Sequence, residues 1–257
     1  MTTHTIKFKR GIKSKLNNLS YGEPAYISDE GELYIGTKSG VEKLTSNKEV
    51  KELSSQLEHI VKINICNYSG ANDDEIFENM INDITNNYKN TPCKIVVGGR
   101  DYNISKPLIF QDLQYKIFDF QTNIIANYCD AIIIKRCSKN TFNFNRITGD
   151  TSINVDLLDS HRFNGITIIN SELNKISLND VYGFKEGIRI EGVYLNDGGS
   201  NGSFGQVIDF KRIARCFEAI KIIDDNNGGW VNENIIRGGG IWAKYGVVSG
   251  HSSYEYS

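Results

Sequence analysis

Asn174-Lys-Ile-Ser-Leu-Asn-Asp-Val-Tyr-Gly-Phe-Lys-Glu-Gly-Ile-Arg-Ile190 is answered by Gln206-Val-Ile-Asp-Phe-Lys-Arg-Ile-Ala-Arg-Cys-Phe-Glu-Ala-Ile-Lys-Ile222. A third copy runs Glu233-Asn-Ile-Ile-Arg-Gly-Gly-Gly-Ile-Trp-Ala-Lys-Tyr-Gly-Val-Val248. Each reads as an alternating strand, a turn, a small residue and a second alternating strand. The small residues stand at 187, 219 and 246, so they recur at intervals of 32 and 27, the range of a solenoid repeat. Strands this short bury their apolar face only by stacking coil on coil. Ile188/Ile190, Ile220/Ile222 and Val247 are then ladders inside a tube. The fold class expected is all-β, a right-handed parallel β-helix.

The rest of the chain fits around that core. Lys116-Ile-Phe-Asp-Phe120, Asn123-Ile-Ile-Ala126, Ala131-Ile-Ile-Ile134, Thr141–Ile147 and Gly165-Ile-Thr-Ile-Ile169 are earlier coils, separated by turn-forming Asn, Asp, Ser and Lys. Residues 149–163 break the rhythm and read as a bulge from one wall. The last strand, Gly246 to Gly250, has no evident cap. Either a partner chain covers it or the natural polypeptide runs past Ser257, because a bare solenoid end invites aggregation.

Upstream, residues 1–45 read as a small β module. Thr5–Arg10 alternates, and Glu23–Ser28 and Glu32–Gly36 flank the turn signal Asp29-Glu-Gly31. Residues 46–64 are a neck, helical over 46–62. Val50, Leu53, Leu57 and Ile60 step by 3, 4 and 3, an a/d seam of about two heptads. Such a helix either lies against its own domain or forms a short trimeric coiled coil; His59 falls beside the seam as a surface residue. Residues 65–257 are the β-helix. Asn72 or Asp73 starts its capping helix, 73–88, with an acidic first turn and an apolar face of Ile76, Phe77, Met80, Ile81 and Ile84. The pair Asp73/Asp74 reads as helix capping ahead of a metal site.

Two stretches carry a family resemblance. Ile6-Lys-Phe-Lys-Arg-Gly11, Gly22-Glu-Pro-Ala-Tyr26, Leu33-Tyr-Ile-Gly-Thr37 and Lys43-Leu44 resemble the N-terminal module of bacteriophage tail-fibre and tail-spike proteins. The match departs from the commonest form at Thr37-Lys-Ser39, where a more glycine-rich turn is usual. The Asp-Asp helix followed by Cys93-Lys-Ile-Val-Val97 and Gly98-Gly-Arg-Asp-Tyr102 is similar to the start of pectate-lyase-like β-helix domains. These resemblances imply a chain made in the host cytoplasm and carried in the virion. They imply a homotrimer docked on tail or baseplate proteins through residues 1–45, with host cell-wall polysaccharide as the distal partner.

Composition narrows the function. The net charge is −2, with no long basic block, which excludes a nucleic-acid footprint. No apolar run reaches the roughly 20 residues that span a bilayer, so membrane insertion is not expected. Cys66, Cys93, Cys129, Cys137 and Cys216 are odd in number and widely spaced. They read as apolar fillers in a reducing compartment. Strong catalytic and cofactor signatures are missing; no metal or cofactor is expected, and Gly238-Gly-Gly240 reads as a turn between strands. Stacking in register places Glu186 above Glu218, the candidate carboxylates of a glycosidase. Asp156, Asp159, His161 and Arg162 on the bulging loop would suit a lyase. Both sets read first as solvated surface, since charged residues face outward from a solenoid. Trp230, Trp242, Tyr245, Tyr254 and Tyr256 gather towards the C-terminus as candidate glycan-binding rings, or as fillers of the tube or a trimer interface. The expected function is adhesion to host glycan by a tail or baseplate fibre. The alternative is a polysaccharide depolymerase on the same scaffold.

Overall fold

A computed structural model describes residues 9–11, 19–21, 23–27, 32–46, 60–89, 91–152, 154, 156–157, 162–196, 201–225 and 227–251. The chain divides into two compact units, Met1–Ile60 and Val61–Ser257. In the first, β1 (Lys9–Gly11), β2 (Pro24–Ile27), β3 (Glu32–Thr37) and β4 (Gly40–Ser46) form one sheet in that order. β1 runs parallel to β2, and the other neighbours are antiparallel. Among the described side chains, Ala25, Ile27 and Tyr34 are buried in it. The Asp29–Gly31 turn and the seam residues Val50, Leu53 and Leu57 lie outside the described residues; Ile60 is half-buried.

The second unit opens with a correction. Val61–Asn64, expected at the end of the neck helix, is a strand, β5, paired in parallel with β6 (Cys93–Val97). The β-branched Val61 and Ile63 take an alternating pattern that serves a strand edge better than a helix face. Between them lies α1 (Asp73–Asn87), capped by the Asn72 side chain, which accepts from Glu75 N–H at 3.0 Å. Phe77, Met80 and Ile84 are fully buried, and Ile76 and Ile81 pack beside them.

From there the chain winds through β7 (Tyr102–Ile104), β8 (Leu108–Gln111), β9 (Lys116–Ala126), β10 (Ile132–Lys135), β11 (Thr141–Thr148) and β12 (Asn164–Ile169). β13 (Lys175–Tyr182), β14 (Glu186–Gly192), β15 (Gly202–Phe204), β16 (Val207–Asp224), β17 (Trp230–Asn232) and β18 (Ile235–His251) complete it. The main sheet runs β5-β6-β9-β11-β13-β16-β14-β12-β10-β8, with β18 on β16 and β7 on β9. Every recorded pairing in this unit is parallel. The sheet curls, because β16 joins both of its arms.

Register makes the columns. Ile95, Phe118, Phe142, Ile176, Ile208 and Ile236 stand one above another. Phe118 and Phe142 stack at 5.0 Å. On the other arm Leu108, Ile132, Ile166, Ile188, Ile220 and Val247 align. Full burial of each such side chain contributes roughly 1.5–3 kcal/mol. The column is buried as far as Ile220 (2 % exposed), but Val247 is 63 % exposed. Val247 therefore belongs to the ladder in register without being inside it: β18 is the last of the described turns, and nothing among the described residues covers it.

Two details of the repeat also differ from expectation. β16 and β18 run unbroken through the position of the expected turn. Gly238-Gly-Gly240 lies within β18 rather than between strands. The reason is close approach: a Cβ on Gly238 would meet the Phe210 ring at 1.9–2.3 Å.

At the entrance to β9, β11, β13, β16 and β18 each turn closes on a polar corner. A left-handed residue (Tyr115, Lys139, Leu173, Gly205, Glu233) is followed by Lys116, Asn140, Asn174, Gln206 and Asn234 in turn. Each amide oxygen accepts the N–H one turn below: Lys116 N to Asn140 at 2.9 Å, Asn140 N to Asn174 at 3.0 Å, Asn174 N to Gln206 at 3.3 Å and Gln206 N to Asn234 at 3.0 Å. Asn140, Asn174 and Gln206 are buried. At the lowest of these turns Lys116 ends the column, its Nζ donating to the carbonyls of Lys89, Thr91 and Gln114 at 2.8–3.0 Å.

Asp73 and Asp74 tie α1 to the first turn. Asp73 forms a two-armed pair with Arg100 and accepts from Asn103 N–H, while Asp74 accepts from Ser105 N–H at 2.9 Å. The Arg100 guanidinium, joined by Asn103 N–H, holds the Asp73 carboxyl below its ordinary value of 3.8. A depressed carboxyl stabilises the fold above that ordinary value and loses the contribution as pH falls through the folded one. Asp73→Asn is therefore expected to cost about 1–2 kcal/mol near neutrality, tempered by the exposure of Arg100. The gap between the two proteins, read from urea midpoints, should close below pH 4. A gap that stays constant with pH would dismiss the charge as its source.

Candidate functional site

The outward side chains between the inward Phe and Leu of the main sheet form a groove. Four turns each place one polar-apolar-polar triplet there: Asp119-Phe-Gln121, Asn143-Phe-Asn145, Ser177-Leu-Asn179 and Asp209-Phe-Lys211. The middle residues are almost fully buried and make the floor. The outer two make polar rails on either side. The cavity measures about 460 Å³, within the range of ligand sites. With strands about 4.8 Å apart, four turns extend over roughly 14 Å. The groove stops where the pattern stops: the turn below carries Val96-Val-Gly98 and the turn above Arg237-Gly-Gly239.

A carboxylate is paired at each end. Asp119 pairs with Lys94 at 3.3 Å and Asp209 with Arg237 at 2.7 Å. In the middle, Asn179 donates to Asn145 at 2.9 Å, and Asn145 to Asn123, beside the rail, at 3.0 Å. Asn143 and Ser177 have no side-chain partner among the described residues. The result is a long, shallow trough, mostly of amides and hydroxyls, with Lys211 as an ammonium that has no ion-pair partner among the described residues, over an apolar floor suited to an extended hydroxyl-rich chain.

Glu186 and Glu218 are in register, but both are buried, at 0 % and 2 % exposed. This corrects the expectation that they face outward. Lys221 Nζ bridges them at 3.1 Å to each, and Arg189 joins Glu186 to Glu191 at 3.0 Å. Such a cluster gives a sugar no access to either carboxylate. Asp156 pairs with Lys244 at 3.2 Å and Arg162 is exposed; Asp159 and His161 lie outside the described residues. Trp230 lies on β17, leaning on Phe204 at 5.3 Å. Trp242 and Tyr245 stand on β18, 65 % and 47 % exposed, with Tyr245 edge-on to Phe217. None of these three lines the groove, and Tyr254 and Tyr256 lie outside the described residues.

No family model matches this chain, and no curated protein matches it. Among solved structures, ORF18 of Geobacillus virus E2 is similar, with a TM-score of 0.36 and 13 % identity. The alignment covers 90 % of this chain and 54 % of that one, so this chain spans about half the length of that neighbour. No helix among the described residues is long and apolar enough to cross a membrane. No group of three or more His, Cys, Asp or Glu among them is placed to hold a metal ion. All five cysteines are free thiols. Burial pushes Cys137 and Cys216 up to about 12, which keeps them protonated and inert as nucleophiles.

The groove was missed by a search for motifs. Its signal is the triplet itself, polar-aromatic-polar at Asp119, Asn143 and Asp209 with Leu178 replacing the ring once. The recurrence becomes visible only when the turns are aligned.

Proposed function

We propose that the chain is a component of a phage tail or baseplate fibre that binds host cell-surface polysaccharide. In this reading residues 1–45 attach it to the virion and the segment through Ile60 is a trimeric neck. The unit beyond it is a right-handed β-helix. Attachment and trimer formation rest on the sequence resemblance; binding rests on the groove. The observation that carries it is the run of neutral amide and hydroxyl side chains repeated over successive turns. Three such sites on one rod would gain avidity by raising effective concentration.

Adhesion fits this geometry better than cleavage. Glycosidase carboxylates stand about 5–9.5 Å apart. Asp119 and Asp209 are three strand steps apart, roughly 14 Å, and each is held by a cation. Glu186 and Glu218 are near enough but buried.

The test uses the full chain with purified wall polysaccharides from a panel of Gram-positive bacteria. The wild type is expected to bind at least one with a mass in solution near three times 28.9 kDa, and to release no reducing ends or unsaturated sugars. Asn143→Ala should weaken binding about tenfold, the effect of roughly 1.4 kcal/mol. Turnover of any polysaccharide would favour the depolymerase; no binding across the panel would end the adhesion reading.

A further inference from the structure

Beside the groove lies a second cavity of about 460 Å³, lined by Asp101, Asn123, Tyr128, Arg146, Thr148 and Asp150 among others. We propose that it holds a lateral sugar ring, so that the polysaccharide in the groove carries a side branch or substituent there. The inference rests on the glycan reading of the groove and adds the structure of the ligand to it.

Three observations support it. Tyr128 holds its ring 82 % exposed on a backbone with φ 57°. Left-handed backbone recurs at nine non-glycine positions among the described residues; what sets Tyr128 apart is a ring so exposed that it adds little to the fold. A flat aromatic face at the mouth of a polar cavity is what the C–H face of a pyranose packs against.

The second observation is the arrangement of donors and acceptors. Both Asp101 oxygens are fixed by Asn123, accepting from its N–H at 3.0 Å and its Nδ2 at 2.9 Å. An ionised carboxylate has about four acceptor positions, so Asp101 can still accept from hydroxyls. Arg146 spends its Nε on Asp180 at 2.9 Å and remains 49 % exposed, a donor beside that acceptor. Thr148 adds a hydroxyl. Neighbouring hydroxyls on one ring can donate to Asp101 and accept from Arg146. An anionic group is disfavoured, since Asp101 and Asp150 both line the cavity and Asp180 already engages Arg146.

The third is continuity. Asn145, on the groove rail, donates to Asn123, on the cavity wall, at 3.0 Å. Asn145 and Arg146 are consecutive residues that serve the two sites in turn. A chain lying along the groove has this cavity at its flank, one hydrogen bond away.

The experiment compares linear hexose and N-acetylhexosamine oligosaccharides of four to six rings with the same chains bearing one lateral sugar, on an array. Wild-type protein should prefer some branched chain over its linear parent by tenfold or more. Tyr128→Ala should abolish that preference while keeping affinity for the linear chain, and Tyr128→Phe should restore it. Asn143→Ala should weaken both chains alike. Equal binding of branched and linear chains by the wild type, or a preference untouched by Tyr128→Ala, overturns the inference and leaves the groove reading standing. Binding of neither overturns both.

Discussion

Asn174→Ala is expected to destabilise the parallel unit by about 3–5 kcal/mol, far beyond what its size suggests. Its Oδ1 accepts from Asn140 N–H at 3.0 Å and from Asn140 Nδ2 at 3.1 Å; its own Nδ2 donates to Cys137 O at 2.9 Å. Truncation orphans the buried Asn140 N–H and takes one donor from the Cys137 carbonyl, which keeps Glu172 N–H at 2.9 Å. The orphaned N–H costs roughly 1–3 kcal/mol where water cannot reach it, and each further bond lost costs about 0.5–1.5 kcal/mol; Asn174 is 1 % exposed. Lys175→Ala, one residue on and pointing outward, should stay within about 0.5 kcal/mol. Urea midpoints compare the two variants. Because stacked turns open locally, amide exchange should also rise first at Asn140. A loss under 1 kcal/mol for Asn174→Ala would mean that side-chain stacking, not the amide column, holds this corner.

The contrast between Asn174 and Lys175 shows what a single sequence reveals. The apolar columns were legible because strand period and repeat length act together: Ile188 over Ile220 follows from both. The capping helix was legible from Asn72 and its acidic first turn. The corners were not. Four of the five left-handed residues there are Tyr115, Lys139, Leu173 and Glu233, none a glycine or asparagine, because the side chain that follows each one, an amide everywhere but at Lys116, supplies hydrogen bonds from outside its own segment. Local propensity carries no trace of a contact that stacking creates. Likewise the Gly238–Gly240 run looked like a turn, and only the Phe210 ring on the next turn explains why glycine stands in a strand. The groove and the Tyr128 cavity share that difficulty. Their residues lie in different turns and converge only after the register is known.

The ion cluster at Lys221 separates a structural from a catalytic role for Glu186 and Glu218. Burial alone would push the Lys221 ammonium down, but Glu186 and Glu218 outweigh it, and its value is raised above the ordinary 10.5. A raised cation contributes stability that is fully present below its ordinary value and is lost as pH climbs through the raised one. Lys221→Met removes the cation from two nearly inaccessible carboxylates, and Glu218 has no other recorded ion-pair partner. Breaking a buried pair from one side costs about 3–5 kcal/mol. Replacing the group as a whole, with Glu186→Leu and Glu218→Leu added to Lys221→Met, should recover most of that loss, since apolar substitutes of similar volume avoid the desolvation of charge. The wild type should lose stability above pH 10.5 relative to this triple variant, whose cluster no longer titrates there. If the carboxylates are catalytic instead, the triple variant would lose polysaccharide turnover that the wild type possesses. If they serve the fold, it should bind wall polysaccharide as the wild type does, because the groove stands on other side chains, from Asp119 to Lys211. A triple variant less stable than Lys221→Met alone would show that the charges at this corner stabilise the stacked turns beyond what apolar packing supplies.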